Sequence, residues 1–151
     1  MGLRRLAREL ALKALYSYEF QDEPEDTDIY QLYNEVNQHL INICDSEKEH
    51  GNGSSSEKVI EFAGSILKAL VFNMDEVDLL INKQSENWTI ERLAVIDREL
   101  LRIAVAEMKY LNTPPPVVIN ESIEIAKKYS TENSGKFVNG ILDAIGHELP
   151  K

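Results

Sequence analysis

Cysteine occurs once in these 151 residues, as Cys44, and tryptophan once, as Trp88. A single thiol excludes an intramolecular disulfide and any multi-thiolate metal centre, and it fits a reducing cytosol. Cys44 itself lies in an apolar helical pattern and is expected in the core. His39, His50 and His147 are scattered, with no two-histidine metal pair at helical spacing and no adjoining Gly-x-Ser-x-Gly turn. Gly135-Lys136 has no glycine at the P-loop interval before it and no Ser or Thr after it, and a Gly-x-Gly-x-x-Gly turn is also missing. No apolar run of about 18 residues is present for a membrane span, and the first residues lack the apolar stretch of a secretory signal. The expectation is a cytoplasmic protein with no catalytic residues, no metal and no cofactor. Its abundant carboxylates, Glu121 and Glu124 among them, read as solvated helix surface rather than acid/base pairs.

The chain has a formal net charge of −10, with 43% hydrophobic and 28% charged residues. Such a composition belongs to globular domains, and an acidic balance argues against indiscriminate coating of nucleic acid. The sign inverts locally. Residues 1–13 hold Arg4, Arg5, Arg8 and Lys13 against Glu9 alone, or 4 − 1 = +3, whereas residues 19–28 hold six acids and no basic residue. Arginines in the first turn of a helix oppose the macrodipole by a few tenths of a kcal/mol each, so stability does not account for them. On the helical wheel the apolar stripe centres on Leu3, Leu10 and Ala14, while Arg5, Arg8, Leu12 and Tyr16 point roughly 140–220° away. Two large apolar side chains on the arginine face predict a contact surface for an anion or a partner.

At this length one domain is expected, 1–151, all-α, built from about seven helices. The first runs over roughly 3–20, and an acidic loop with Pro24 follows. Apolar spacing from Ile29 to Cys44 gives the second helix, capped by Thr27 or Asp28. Residues 45–56 hold no apolar side chain and are expected as a mobile polar loop. The third helix buries Val59, Phe62, Ala63, Ile66, Leu67 and Leu70, with Ser54 and Glu57 spaced as a capping box, and Asn73 with Glu76 repeats that spacing before the fourth. The fifth, from Thr89 to about Asn112, is apolar on several sides, which predicts a central helix with Trp88 at its entry. Thr113-Pro114-Pro115-Pro116 stops it. A sixth helix ends near Tyr129, and Ser134 caps a seventh. Val117-Val118-Ile119 is the one β-branched run open to a strand reading.

Four stretches together resemble the NusB family of bacterial transcription antitermination factors. They are Arg4-Arg5-Leu6-Ala7-Arg8-Glu9 running to Ala14-Leu15-Tyr16; Asn87-Trp88 followed by Ile96-Asp97-Arg98-Glu99-Leu100-Leu101-Arg102-Ile103-Ala104; Ile119-Asn120-Glu121-Ser122-Ile123-Glu124-Ile125-Ala126-Lys127; and Ser134-Gly135-Lys136-Phe137-Val138-Asn139-Gly140-Ile141-Leu142-Asp143. The likeness covers nearly the whole chain except the 45–56 loop. It implies a seven-helix NusB-like domain that binds a boxA-like element in single-stranded RNA jointly with the ribosomal protein NusE, so that RNA polymerase, in its antitermination complex, resists termination during ribosomal RNA synthesis.

The resemblance puts Arg4, Arg5 and Arg8 on RNA, extended by Lys136 and Phe137 at the start of the last helix. Arginine gives bidentate phosphate contacts and stacks on bases, and an aromatic ring offers a platform for unpaired ones. Phe137 carries two open readings, stacking on RNA or packing at the core edge. Tyr16, Asp97 and Arg102 match positions facing the protein partner, though Arg102 also fits an intrahelical pair with Asp97 or Glu99. A monomer and a homodimer are both compatible with the resemblance. One alternative is a helical protein–protein adaptor that uses the Leu12 and Tyr16 face without RNA. The other is the N-terminal RNA-binding region of certain ribosomal RNA cytosine methyltransferases, whose catalytic domain is not expected within 151 residues.

Overall fold

The computed structural model describes residues 2–19, 28–48, 56–85 and 93–150. These form seven helices and, among the described residues, no strand: α1 Leu3–Glu19, α2 Ile29–Lys48, α3 Ser56–Val71, α4 Met74–Gln84, α5 Val95–Tyr110, α6 Pro115–Tyr129 and α7 Glu132–Glu148. They fall into two compact units, Met1–Phe72 and Asn73–Lys151.

In unit 1, α1 packs on both α2 and α3, and those two pack on each other. Ala7, Leu10, Ala11, Ala14, Val36, Leu40, Ala63, Ile66, Leu67 and Leu70 form its buried interior. Alanine recurs along α1 because a helix with two close neighbours has room for little more than a methyl on the seam. The Asp28 carboxylate accepts from the Gln31 backbone N–H at 2.8 Å, so Asp28 caps α2. This helix runs one turn past the end expected near Cys44, to Lys48. Intrahelical hydrogen bonds there need no apolar side chain. The rest of the expected polar loop, His50 and the Ser54 capping box lie outside the described residues, as do Thr27 and most of the acidic loop.

In unit 2, α5 touches α4, α6 and α7, and α6 packs along α7. Leu100, Leu101, Ile103, Ala104 and Val105 on α5 are buried on several sides, as their unbroken apolar character requires. The helix starts at Val95 rather than Thr89. Ala94 is extended (φ −57°, ψ 142°), and Trp88 and Thr89 lie outside the described residues. At the other end Asn112 takes φ 57°, the left-handed conformation that closes a helix and that asparagine tolerates. Pro115 then occupies the first turn of α6, where its missing N–H costs nothing, and Val117-Val118-Ile119 is helical. Two expected caps differ. Asn73 precedes α4 without a side-chain capping bond, its backbone at φ −133°, ψ 24° rather than in the β conformation usual for a cap, and Glu76 turns to Tyr110 and Lys109 on α5. Thr131 caps α7, accepting from the Ser134 backbone N–H at 3.1 Å, so the cap lies three residues before the expected Ser134.

Gly146 of α7 lies where α6 begins: a Cβ there would stand 3.2 Å from Pro115 Cβ and 3.9 Å from Met108 Sδ, whereas Gly64 and Gly140 face open space. Replacing a helical glycine by alanine ordinarily stabilises by about 0.5–1 kcal/mol. Gly64→Ala and Gly140→Ala are expected to gain about that much in denaturant unfolding. Gly146→Ala should show no gain, since the rigid Pro115 ring must move, and Gly146→Val should cost about 1–3 kcal/mol.

Candidate nucleic-acid interface

Arg4 and Arg8 stand one turn apart on α1, so their side chains share a face. That face meets α3. The Arg4 guanidinium carbon lies 4.9 Å from the centroid of the Phe62 ring and that of Arg8 5.6 Å from it. Each such contact is worth about 0.5–2 kcal/mol, more as water is removed. Arg4 is exposed and Arg5 half-buried, but Arg8 is only 3% exposed and Glu9 only 2%. The expected outward-facing quartet is therefore corrected. Tyr16 is 43% exposed, whereas Leu12, like Arg8, is buried. The wheel allowed for one buried stripe, but α1 has neighbours in both α2 and α3, so its interior arc is wider. Phe62, read from sequence as plain core, is half-buried and becomes the ring on which two cations rest.

In unit 2, Asp97 opens α5 half-buried. Its Oδ2 accepts from the Ser134 hydroxyl at 3.2 Å, and Ser134 is in turn 2.8 Å from the Ser130 hydroxyl. Asp97 Oδ1 is buried and finds no donor among the described residues. Burial raises the Asp97 pKa, only partly opposed by the Ser134 and Ser130 hydrogen bonds. Glycine at 135 is buried against Ile123 and Lys127 of α6, which sets the spacing of α6 and α7 here. Lys136 is exposed and Phe137 half-buried, both in the second turn of α7 rather than at its start, since the helix begins at Glu132.

Arg102 is engaged within its own unit. Its Nε and Nη2 donate to the two carboxylate oxygens of Asp78 on α4 at 2.8 and 2.9 Å, and its Nη1 donates to Glu99 at 2.7 Å. Glu99, 2% exposed, also accepts from Arg98 Nε at 3.4 Å, while its Oε2 finds no donor among the described residues. Burial pushes the Glu99 carboxyl up despite the charges of Arg102 and Arg98. Burial works against the Arg102 cation, but the hydrogen bond with Asp78 and the charges of Glu99 and Asp78 outweigh it and raise its pKa. Of the intrahelical pairs open from sequence, the one with Glu99 forms; the bond to Asp78, 24 residues away, had no local signal. Nearby, Glu76 accepts from the Tyr110 hydroxyl at 2.5 Å; burial and that carboxylate push the Tyr110 phenol up to about 12.

Among the described residues no group of His, Cys, Asp and Glu has the geometry to hold a metal ion. His39 meets Tyr18 edge-on at 6.3 Å, and His147 lies 2.7 Å from the Asp143 carbonyl oxygen. No described helix is long and apolar enough to cross a membrane.

Arg102→Ala leaves Glu99 buried with a weaker neighbour and is expected to cost about 2–4 kcal/mol in equilibrium unfolding. Asp97→Asn has the opposite sign. A carboxyl whose folded pKa lies above its unfolded value weakens folding once pH exceeds the folded pKa, and the penalty disappears as pH falls through that value. The Asn variant should therefore melt higher than the parent near neutral pH, with the difference shrinking as the buffer is acidified through the carboxylate range.

The NusB family model matches residues 5–147. The transcription antitermination protein NusB of Chloroherpeton thalassium is 41% identical over 147 residues, which is 97% of this chain and 62% of that protein, so the chain spans under two thirds of that relative's length. The one from Elusimicrobium minutum is 39% identical over 150 residues, 98% of this chain and 96% of that one. In three dimensions T. maritima NusB superposes with a TM-score of 0.78 at 39% identity, covering 98% of this chain and 93% of that one. A crystal structure of antitermination factors NusB and NusE in complex with dsRNA gives 0.76 at 28% identity, covering 97% of this chain and 98% of that one. With the family model spanning both units, and with relatives well above 30% identical along nearly the whole chain, the protein belongs to the NusB family.

Proposed function

We propose that this chain is a transcription antitermination factor that binds boxA-like single-stranded RNA together with NusE and so helps RNA polymerase resist termination during ribosomal RNA synthesis. The observation that carries the reading is the basic first turn of α1, held against the Phe62 ring in a chain of net charge −10. A cation fixed on an aromatic ring loses little freedom when it meets an anion, and a guanidinium plane so held also stacks on an unpaired base. The names of the relatives, and the related structure with NusE and RNA, support the same reading.

In unit 1, Arg4 and Arg5 contact the RNA, and the buried Arg8 holds Phe62 in place behind them. In unit 2, exposed Lys136 adds a phosphate contact and Phe137 an apolar edge. Tyr16, exposed on α1, and Asp97, half-buried at the start of α5, meet the ribosomal partner. Arg102 positions this region from behind through Glu99 and Asp78. The two units act as one NusB-like domain, in the cytoplasm, without catalysing a reaction. The acidic balance of the whole opposes RNA at long range, so a basic partner sharing the same RNA raises affinity by making the second contact intramolecular.

A gel shift tests this with boxA-like, scrambled and duplex RNA, each with and without NusE. The boxA-like strand is expected to bind best, only tightly with NusE present, and with affinity falling steeply with salt. Arg4→Ala plus Arg5→Ala is expected to lower that affinity by tenfold or more. Equal binding of scrambled RNA, or indifference to both arginines, contradicts the reading; duplex binding as tight as the single strand contradicts its unpaired-base component.

A further inference from the structure

Beside the Arg4–Phe62 contact, unit 1 holds a shallow recess of about 290 Å³ between the start of α1 and the first turns of α3. Leu3, Arg4, Lys58, Glu61, Phe62 and Ser65 line it. We propose that this recess receives one unpaired RNA base bearing an exocyclic amino group, with Lys58 on the adjoining phosphate. The inference rests on the RNA reading of α1 above and adds to it an α3 wall that no sequence motif marks.

The size falls at the lower end of ligand sites, right for one planar ring system rather than an extended ligand. Its walls divide by chemistry. Leu3, 42% exposed, and half-buried Phe62 supply apolar surface, and the Arg4 guanidinium on the Phe62 ring supplies a stacking plane. Lys58 is an exposed point charge one turn before Phe62, and a flexible ammonium suits a phosphate oxygen. Glu61 and Ser65 bring hydrogen-bond acceptors. The Ser65 hydroxyl already donates to the Glu61 carbonyl at 2.9 Å, so its oxygen is left to accept, as does the Glu61 carboxylate.

That division orients a nucleotide. A phosphate is attracted to Lys58 and Arg4 and repelled by Glu61, so the base, not the phosphate, faces the carboxylate. Adenine, cytosine and guanine offer an amino N–H pair to those acceptors. Uracil offers a single ring N–H flanked by two carbonyl oxygens, which meet the carboxylate unfavourably. Phe62 acts here as a positioning residue for Arg4 as well as a wall.

The test uses the full chain with NusE and boxA-like RNA carrying the fluorescent base 2-aminopurine at each purine position in turn. One position is expected to change fluorescence on binding in a manner lost with Phe62→Leu. Lys58→Ala and Phe62→Leu should each weaken binding about tenfold. Glu61→Gln should reduce the preference for an amino-bearing base over uracil at the responding position, since an amide both donates and accepts. Lys58 is exposed, so its variant tests the site even if Phe62→Leu proves poorly folded by circular dichroism. Wild-type affinity and base preference in all three variants, alongside weak binding by Arg5→Ala, overturns the recess and leaves the RNA reading standing. An RNA complex indifferent to Arg5→Ala as well, or no complex at all, overturns both.

Discussion

The stacking of Arg4 and Arg8 on Phe62 is the contact on which the functional reading of unit 1 depends. It resolves an apparent conflict in the chain. Arginines at a helix N-terminus work against the dipole, and burying one costs desolvation. An aromatic face under both cations offsets part of that cost and fixes where the charge sits. The basic turn is then a preorganised surface rather than two long side chains sampling solvent, and preorganisation reduces the entropy lost when a ligand arrives. Arg8 and Arg4 divide the work. The buried member anchors the ring, and the exposed member presents charge and a flat surface.

Unit 2 treats charge differently. Arg102 spends three donors on Asp78 and Glu99, tying α4 to α5 through a network largely shielded from water. Asp97, two residues before Glu99, is short of donors, half-buried and raised in pKa by that burial. Asp78 has both carboxylate oxygens engaged by Arg102 and so holds α4 to α5, while Asp97 has one oxygen without a donor among the described residues. Stability favours the first arrangement and not the second.

Local signals made much of this legible in the sequence. Proline at 114–116 and Asn112 placed the end of α5, Asp28 placed the start of α2, and continuous apolar character marked α5 as the most enclosed helix of its unit. Errors came where a residue's environment is set by distant segments. A helical wheel cannot know that α1 has two neighbours, so it places Arg8 and Leu12 outside. Phe62 fits an apolar stripe whether or not cations lie over it, because those cations come from another helix. Asp78 pairs with Arg102 across helices, while Glu99, at i−3, was within reach of periodicity. Thr131 rather than Ser134 caps α7 because both have cap chemistry and only the chain path decides between them.

The account's central claim is that RNA engages the arginines resting on Phe62. The arginine side-chain Nε–Hε resonances, followed by NMR as boxA-like RNA is added to the NusE-bound protein, test it most directly. Arg4 and Arg5 are expected to shift strongly, Arg8 less because it is buried, and Arg98 and Arg102 least because their guanidinium groups are held by Glu99 and Asp78. Shifts concentrated on Arg98 and Arg102, with Arg4 and Arg5 unmoved in an RNA-saturated complex, would contradict it.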